Sequence, residues 1–158
     1  MKKTAFILFF LVFTALNISY SQTSGTGLGI MVGEPTGVSF KHWLSSDNAI
    51  DAGLAWSFLD NGNFHIHGDY LFHMNVLNSL LNTNNASLYV GIGGRIKIKN
   101  TDKEESDSRL GARVPVGAVF YFPQPKLDLF LEIVPILDLT PKTDFSFNAA
   151  IGARYFFH

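Results

Sequence analysis

The densest run of chemistry-bearing side chains is His65-Ile-His-Gly-Asp69, with His73 four residues further on. Imidazole nitrogens and carboxylate oxygens are zinc and nickel ligands. On an extended strand, residues spaced by two share a face, so His65, His67, Asp69 and His73 line up on one side. Each step of two residues advances about 6.6 Å, and four ligands in a row cannot converge on one ion. A metal there would need Asp51 or groups from the strand after it. The reading is therefore of hydrogen-bonded interior residues, with no metal and no cofactor expected. His65 and His67 are the only candidates for a metal-binding role.

A second set of residues is more informative. Lys41, Asp51, Asp69, Arg95, Lys97, Arg113, Asp128, Glu132 and Arg154 all fall on the polar side of strictly alternating segments. Desolvated charges cost several kcal/mol unless they are paired, so these must neutralise one another if that side is interior. The network expected in the interior is Lys41, Asp51, Asp69, Arg95, Lys97, Arg113, Glu132 and Arg154, with Glu132 among the arginines. No Gly-x-Ser-x-Gly elbow, phosphate-binding loop or zinc-protease helix motif occurs, and no catalytic residue is assigned.

The elements that would carry these residues are strands. From Tyr89 the chain reads Tyr-Val-Gly-Ile-Gly-Gly-Arg-Ile-Lys-Ile. Val90, Ile92, Ile96 and Ile98 lie on one face and Tyr89, Gly91, Gly93, Arg95 and Lys97 on the other. The same period of two runs through Ile50–Phe58, Phe64–His73, Leu127–Ile133 and Phe145–Phe157. Turn-forming clusters separate the runs at Gly33–Thr36, Ser45–Asn48, Asp60–Asn63, Pro123–Lys126 and Thr140–Thr143. Two connections are longer: 74–86, Asn- and Leu-rich with room for a helical turn, and 99–109, highly charged and solvated. Eight strands result, at 27–32, 37–44, 49–58, 63–73, 87–98, 109–122, 127–139 and 144–157.

Composition narrows the class. Of 158 residues, 47% are apolar and only 16% charged, with 15 Phe, 14 Gly and no Cys. A disulfide scaffold and thiolate chemistry are excluded. The formal net charge of −1 offers no footprint for nucleic acid. Residues 1–21 read as a cleaved secretory signal: Lys2 and Lys3, an apolar run from Ala5 to Leu16, then small polar residues ending at Ser21. Residues 22–158 form one domain. Eight alternating strands close either in water, with the apolar face inward, or in lipid, with it outward. The polar face here is sparse, small and mixed in sign, as suits a narrow interior rather than a water-facing surface. The apolar face carries Phe58, Phe72, Phe122 and Phe157 near strand ends. Lipid is favoured, with a soluble secreted barrel around a small apolar ligand as the alternative.

Three segments add a family likeness: Gly27-Leu-Gly-Ile-Met-Val-Gly-Glu-Pro-Thr-Gly37, Arg113-Val-Pro-Val-Gly117 and Gly152-Ala-Arg-Tyr-Phe-Phe157. With these, residues 26–157 resemble the small eight-stranded outer-membrane β-barrels of Gram-negative bacteria, of the OmpA/OmpX transmembrane type. The resemblance implies an all-β, eight-stranded antiparallel up-and-down transmembrane β-barrel in the cell outer membrane, a monomer bounded by outer-membrane lipid. It implies that the aromatic last strand is the signal read by the barrel-assembly machinery, although His158 follows the final Phe. Barrel lipases of this size use a His-x-Ser pair, which this chain lacks. With both termini in the periplasm, only the 99–109 connection is long on the outside, which leaves little surface for an adhesin or receptor. The function expected is structural, supporting membrane integrity with a plugged lumen; a narrow pore for ions or small solutes is the alternative. Pro115 and Pro135 fall inside strands, where a closed barrel has no edge to accommodate them, and bulges near the membrane boundary are the expected remedy.

Overall fold

The computed structural model describes residues 24–57, 63–98 and 108–157. The expected signal segment, Phe58, most of the 59–63 and 99–109 connections, and His158 lie outside the described residues. Nine strands follow in order: β1 Thr26–Glu34, β2 Thr36–Trp43, β3 Asn48–Ser57, β4 Asn63–Met74, β5 Ala86–Ile98, β6 Arg109–Arg113, β7 Val116–Pro123, β8 Lys126–Thr140 and β9 Asp144–Phe157. One helical turn, α1 Val76–Leu81, sits between β4 and β5. All pairings are antiparallel and, β6 and β7 apart, link sequence neighbours, and β1 pairs with β9, which closes the sheet. Since β6 and β7 both lie between β5 and β8, they form one interrupted stave, and the ring has eight staves.

The alternation that defines the strands also sorts their faces, because successive side chains point to opposite sides of a strand. Along β4, every second residue from Asn63 to His73 is buried, and the residues between them are exposed or half-buried. Ile30 is 62% exposed, Ile92 64% and Phe147 64%, whereas Lys41 and Asp128 are 0% exposed. The barrel is thus apolar outside and charged inside. At the end where β1 begins and β9 ends, the interior is filled by rings and aliphatic groups, among them Trp43, Leu71, Tyr89, Tyr121, Phe130 and Phe156.

Two segments differ from the sequence expectation. The first strand, expected over 27–32, spans nine residues, because pairing with both β2 and β9 extends it to Glu34. The sixth, expected as continuous over 109–122, is broken at Val114-Pro115. No bulge accommodates the prolines. Arg113 pairs with Ile136 and Val116 with Ile133, so the register against β8 is the same on both sides of the break. Instead each proline removes half of one rung. Gly91 N–H donates to Pro115 O at 2.8 Å and Val114 N–H donates to Pro135 O at 3.1 Å. Proline has no amide to return either bond. The register shift in this stave lies elsewhere, at Leu110/Gly111.

The 74–86 connection contains the helical turn. α1 ends at Asn82, whose φ of 50° is the left-handed cap that Asn tolerates. Asn78 Oδ1 accepts the Ala86 N–H at 3.0 Å and ties the helix to the start of β5.

Candidate functional site: the charged lumen

Register decides which interior side chains meet. One row runs Lys41, Asp51, Asp69, Gly93, Arg113 across β2, β3, β4, β5 and β6. Another runs His67, Arg95, Gly111, Asp138 across β4, β5, β6 and β8. In both, a glycine stands between the partners of an ion pair. A Cβ on Gly93 would lie 2.0 Å from Asp69 Oδ1, and one on Gly111 would lie 2.5 Å from Asp138 Oδ1. The missing side chain opens the space through which an arginine reaches two staves away. Arg113 Nε lies 3.0 Å from Asp69 Oδ2 across Gly93. Arg95 donates to Asp138 across Gly111, from Nη2 to both oxygens at 2.8 Å and from Nε to Oδ1 at 3.0 Å.

The device recurs. Arg154 Nε donates to Ser39 Oγ at 2.8 Å over Gly29, which is the neighbour of both residues. Tyr89 Oη donates to Glu132 Oε2 at 2.9 Å over Gly117. The inward glycines therefore act as gaps that let long polar groups reach across an intervening stave.

These bridges join into a central network. Arg154 contacts Asp51 at 3.3 Å and Asp128 at 3.6 Å, and stacks its guanidinium 3.9 Å from the Phe130 ring. Lys41 Nζ lies 3.7 Å from Asp128, 3.0 Å from His73 Nε2 and 4.3 Å from the Trp43 ring centroid. Arg113 adds Glu132 at 3.2 Å to its contact with Asp69. Three cations, Lys41, Arg113 and Arg154, here meet four carboxylates, Asp51, Asp69, Asp128 and Glu132. The Arg95–Asp138 pair stands apart, with Arg109 Nη1 at 3.7 Å from the same carboxylate and Ser146 Oγ at 3.3 Å from Arg95.

All eight interior charges expected from the sequence are buried, as are His65 and His67. Lys97 pairs in register with His65 and Arg109. The expected grouping of the arginines around Glu132 forms in part: Arg113 joins it, Arg154 lies near enough to act on it, and Arg95 goes elsewhere. Glu132 meets Arg113, Arg154 goes to Asp51 and Asp128, and Arg95 goes to Asp138. The reason is distance along the strand: Asp138 is six residues, about 20 Å, from Glu132 on β8. Asp138 lies beyond the alternation read over Leu127–Ile133; the same period continued through Pro135 places it inside. Tyr89 and His73 lay on the interior face from the start, but nothing in their spacing marked them as partners of Glu132 and Lys41. Of the two metal candidates, His67 joins Asp51 and Asp69, each offering a ligand atom within 4.8 Å of the others. His65 does not belong to that group, and its ring packs edge-on to His67 at 5.3 Å.

No protein-family model matches the chain, and no curated protein matches it. Among solved structures it is similar to the N-terminal β-barrel domain of Pseudomonas aeruginosa OprF, with a TM-score of 0.67 at 14% identity. The match covers 85% of this chain and 98% of that domain. The fold is thus an eight-stranded β-barrel like that of this domain.

Proposed function

We propose that this chain is an integral outer-membrane β-barrel with a structural, membrane-integrity role and a lumen closed by its own side chains. The observation that carries the reading is the inverted exposure: aliphatic residues cover the outside while charges fill the inside. In water this arrangement exposes a continuous apolar surface far larger than soluble monomers carry. Against hydrocarbon it is the stable arrangement for a closed sheet, which leaves no unpaired backbone at an edge. Exposed aromatic residues stand near both ends of the staves, as interfacial girdles do. Trp56, Phe145 and Phe147 lie toward one end, and Phe72, Tyr155 and Phe157 toward the other. The OprF-like fold agrees with an outer-membrane location.

Residues 1–21 serve in this reading as the secretory signal, and the aromatic last strand directs the precursor to the barrel-assembly machinery. The mature barrel sits in outer-membrane lipid as a monomer. The plugged lumen is supported by the spanning bridges and the aromatic end, and by an interior cavity of only ≈ 10 Å³ beside His67, Arg113 and Glu132, about the space of one water.

The test is to fractionate membranes from expressing cells and run the outer-membrane fraction on a gel with and without boiling. A shift in mobility on heating, in that fraction, is the expected result. A soluble protein with no shift overturns the membrane reading. Steady single-channel conductance in planar bilayers overturns the plug and makes the protein a pore.

A further inference from the structure

We infer that Asp51, His67 and Asp69 form a binding site for a divalent transition-metal ion in the lumen wall. The inference rests on the barrel geometry alone and not on the membrane in which the barrel sits. Asp51 and Asp69 face each other directly across β3 and β4, an arrangement of like charges that is unfavourable on its own. His67 lies two residues from Asp69 on the same face. Its imidazole leans onto β3, the strand of Asp51, through the gap left by Gly53, where a Cβ would meet His67 Cε1 at 2.3 Å. The row along β4 cannot gather ligands around one ion, but the neighbouring strand supplies the missing one.

Each of the three is more than nine-tenths buried, with Asp51 and Asp69 5% and His67 6% exposed. Each also keeps a potential ligand atom unused: Asp51 Oδ1, Asp69 Oδ1 and His67 Nδ1 have no hydrogen-bond partner among the described residues. Buried polar atoms left this way cost free energy that a ligand would recover. Arg154 and Arg113 meet the aspartates through Oδ2. The arginines would thus stand behind the ligands and orient them, as outer groups do around metal sites. The surrounding network has four carboxylates to three cations, so one carboxylate more than the cations it pairs with is at hand.

One nitrogen and two carboxylate oxygens, with a water as fourth ligand, match an open tetrahedral zinc set. The ligand atoms lie within 4.8 Å of one another, and closing on zinc requires separations of about 3.3–3.6 Å. The nitrogen ligand selects zinc, nickel or copper over calcium and magnesium, which prefer all-oxygen sites.

The experiment loads the folded barrel in detergent with zinc, removes free metal by gel filtration and measures bound zinc by mass spectrometry. The expected result is about one zinc per barrel, undiminished by excess magnesium, as a mixed nitrogen–oxygen site requires. His67→Gln and Asp51→Asn should each weaken zinc binding by more than the ~10–100-fold of outer-shell changes, while His65→Gln retains it. Heat-dependent gel mobility reports separately whether each variant still forms a barrel, so loss of metal is not confused with loss of fold. No retained zinc in the native protein overturns the site, as does equal retention in the His67→Gln and Asp51→Asn barrels. Neither result bears on where the barrel resides, which fractionation decides.

Discussion

The lumen holds two charge assemblies that solve the same problem differently. At one end Arg95 grips Asp138 with three hydrogen bonds of 2.8–3.0 Å, a single cation forked onto a single carboxylate. In the centre three cations are shared among four carboxylates, at distances from 3.0 to 3.7 Å. The first is a closed clamp whose geometry satisfies both partners. The second leaves carboxylate oxygens and imidazole nitrogens without partners. A clamp of this kind rigidifies, whereas an over-supplied carboxylate cluster is poised to take up a cation. Structure and chemistry are therefore divided between two places a few residues apart on the same staves.

Removing one side chain from each assembly would separate them most sharply. Arg113→Ala takes the cation from Asp69 and leaves Glu132 only the Tyr89 hydroxyl, and the expected loss is about 3–5 kcal/mol, read as a lowered urea midpoint for unfolding from lipid vesicles. An unchanged midpoint would mean that the centre contributes no stability. Next in size are the two glycines. Gly93→Ala places a methyl 2.0 Å from Asp69 Oδ1 and 2.2 Å from Gly68 O, whereas at Gly111 the nearest backbone atom is 3.2 Å away. Overpacking at Gly93 should cost about 1–3 kcal/mol, and Gly111→Ala should cost less because the Asp138 side chain can shift. Equal losses would show that the gaps are not what sets the two bridges apart.

How far this could be read in advance follows from the same residues. Alternation placed Lys41, Arg95 and Arg113 inside because a period of two is a property of the strand itself. The eight staves and the helical turn were legible for the same local reason. Partner choice was not. Arg95 and Asp138 are 43 residues apart, and Asp51 meets Asp69 only through the register of β3 on β4. Register is set jointly by turn lengths and the closure of the whole ring, so no segment encodes it alone. The glycines looked like ordinary strand punctuation, although their position between opposite charges could have marked them.

Two smaller effects refine the contrast. Arg95→Lys keeps the charge but loses the fork, and about 1–2 kcal/mol should disappear with it. A loss below the error of the measurement would reduce the clamp to a plain ion pair. Asp51→Asn leaves three cations facing three carboxylates and relieves the opposition to Asp69. The net change in stability should stay under about 1 kcal/mol, checked in the same unfolding assay. A large loss would identify the Arg154–Asp51 contact, at 3.3 Å, as a principal brace of the centre.

The glycine gaps also bear on how the barrel finds its alignment. A strand that slips by two residues keeps every side chain on its proper face, so hydrophobicity cannot detect the error. Arg95 sits opposite Gly111, and the residues two away on that strand are Arg109 and Arg113. A slip of β5 in either direction sets Arg95 against an arginine and loses its bridge to Asp138, whereas the native register keeps that bridge and carries a single like-charge opposition, Lys97 to Arg109. The empty position with a like charge on each side is a combination lock, admitting one setting of the strand and rejecting its two nearest imitations.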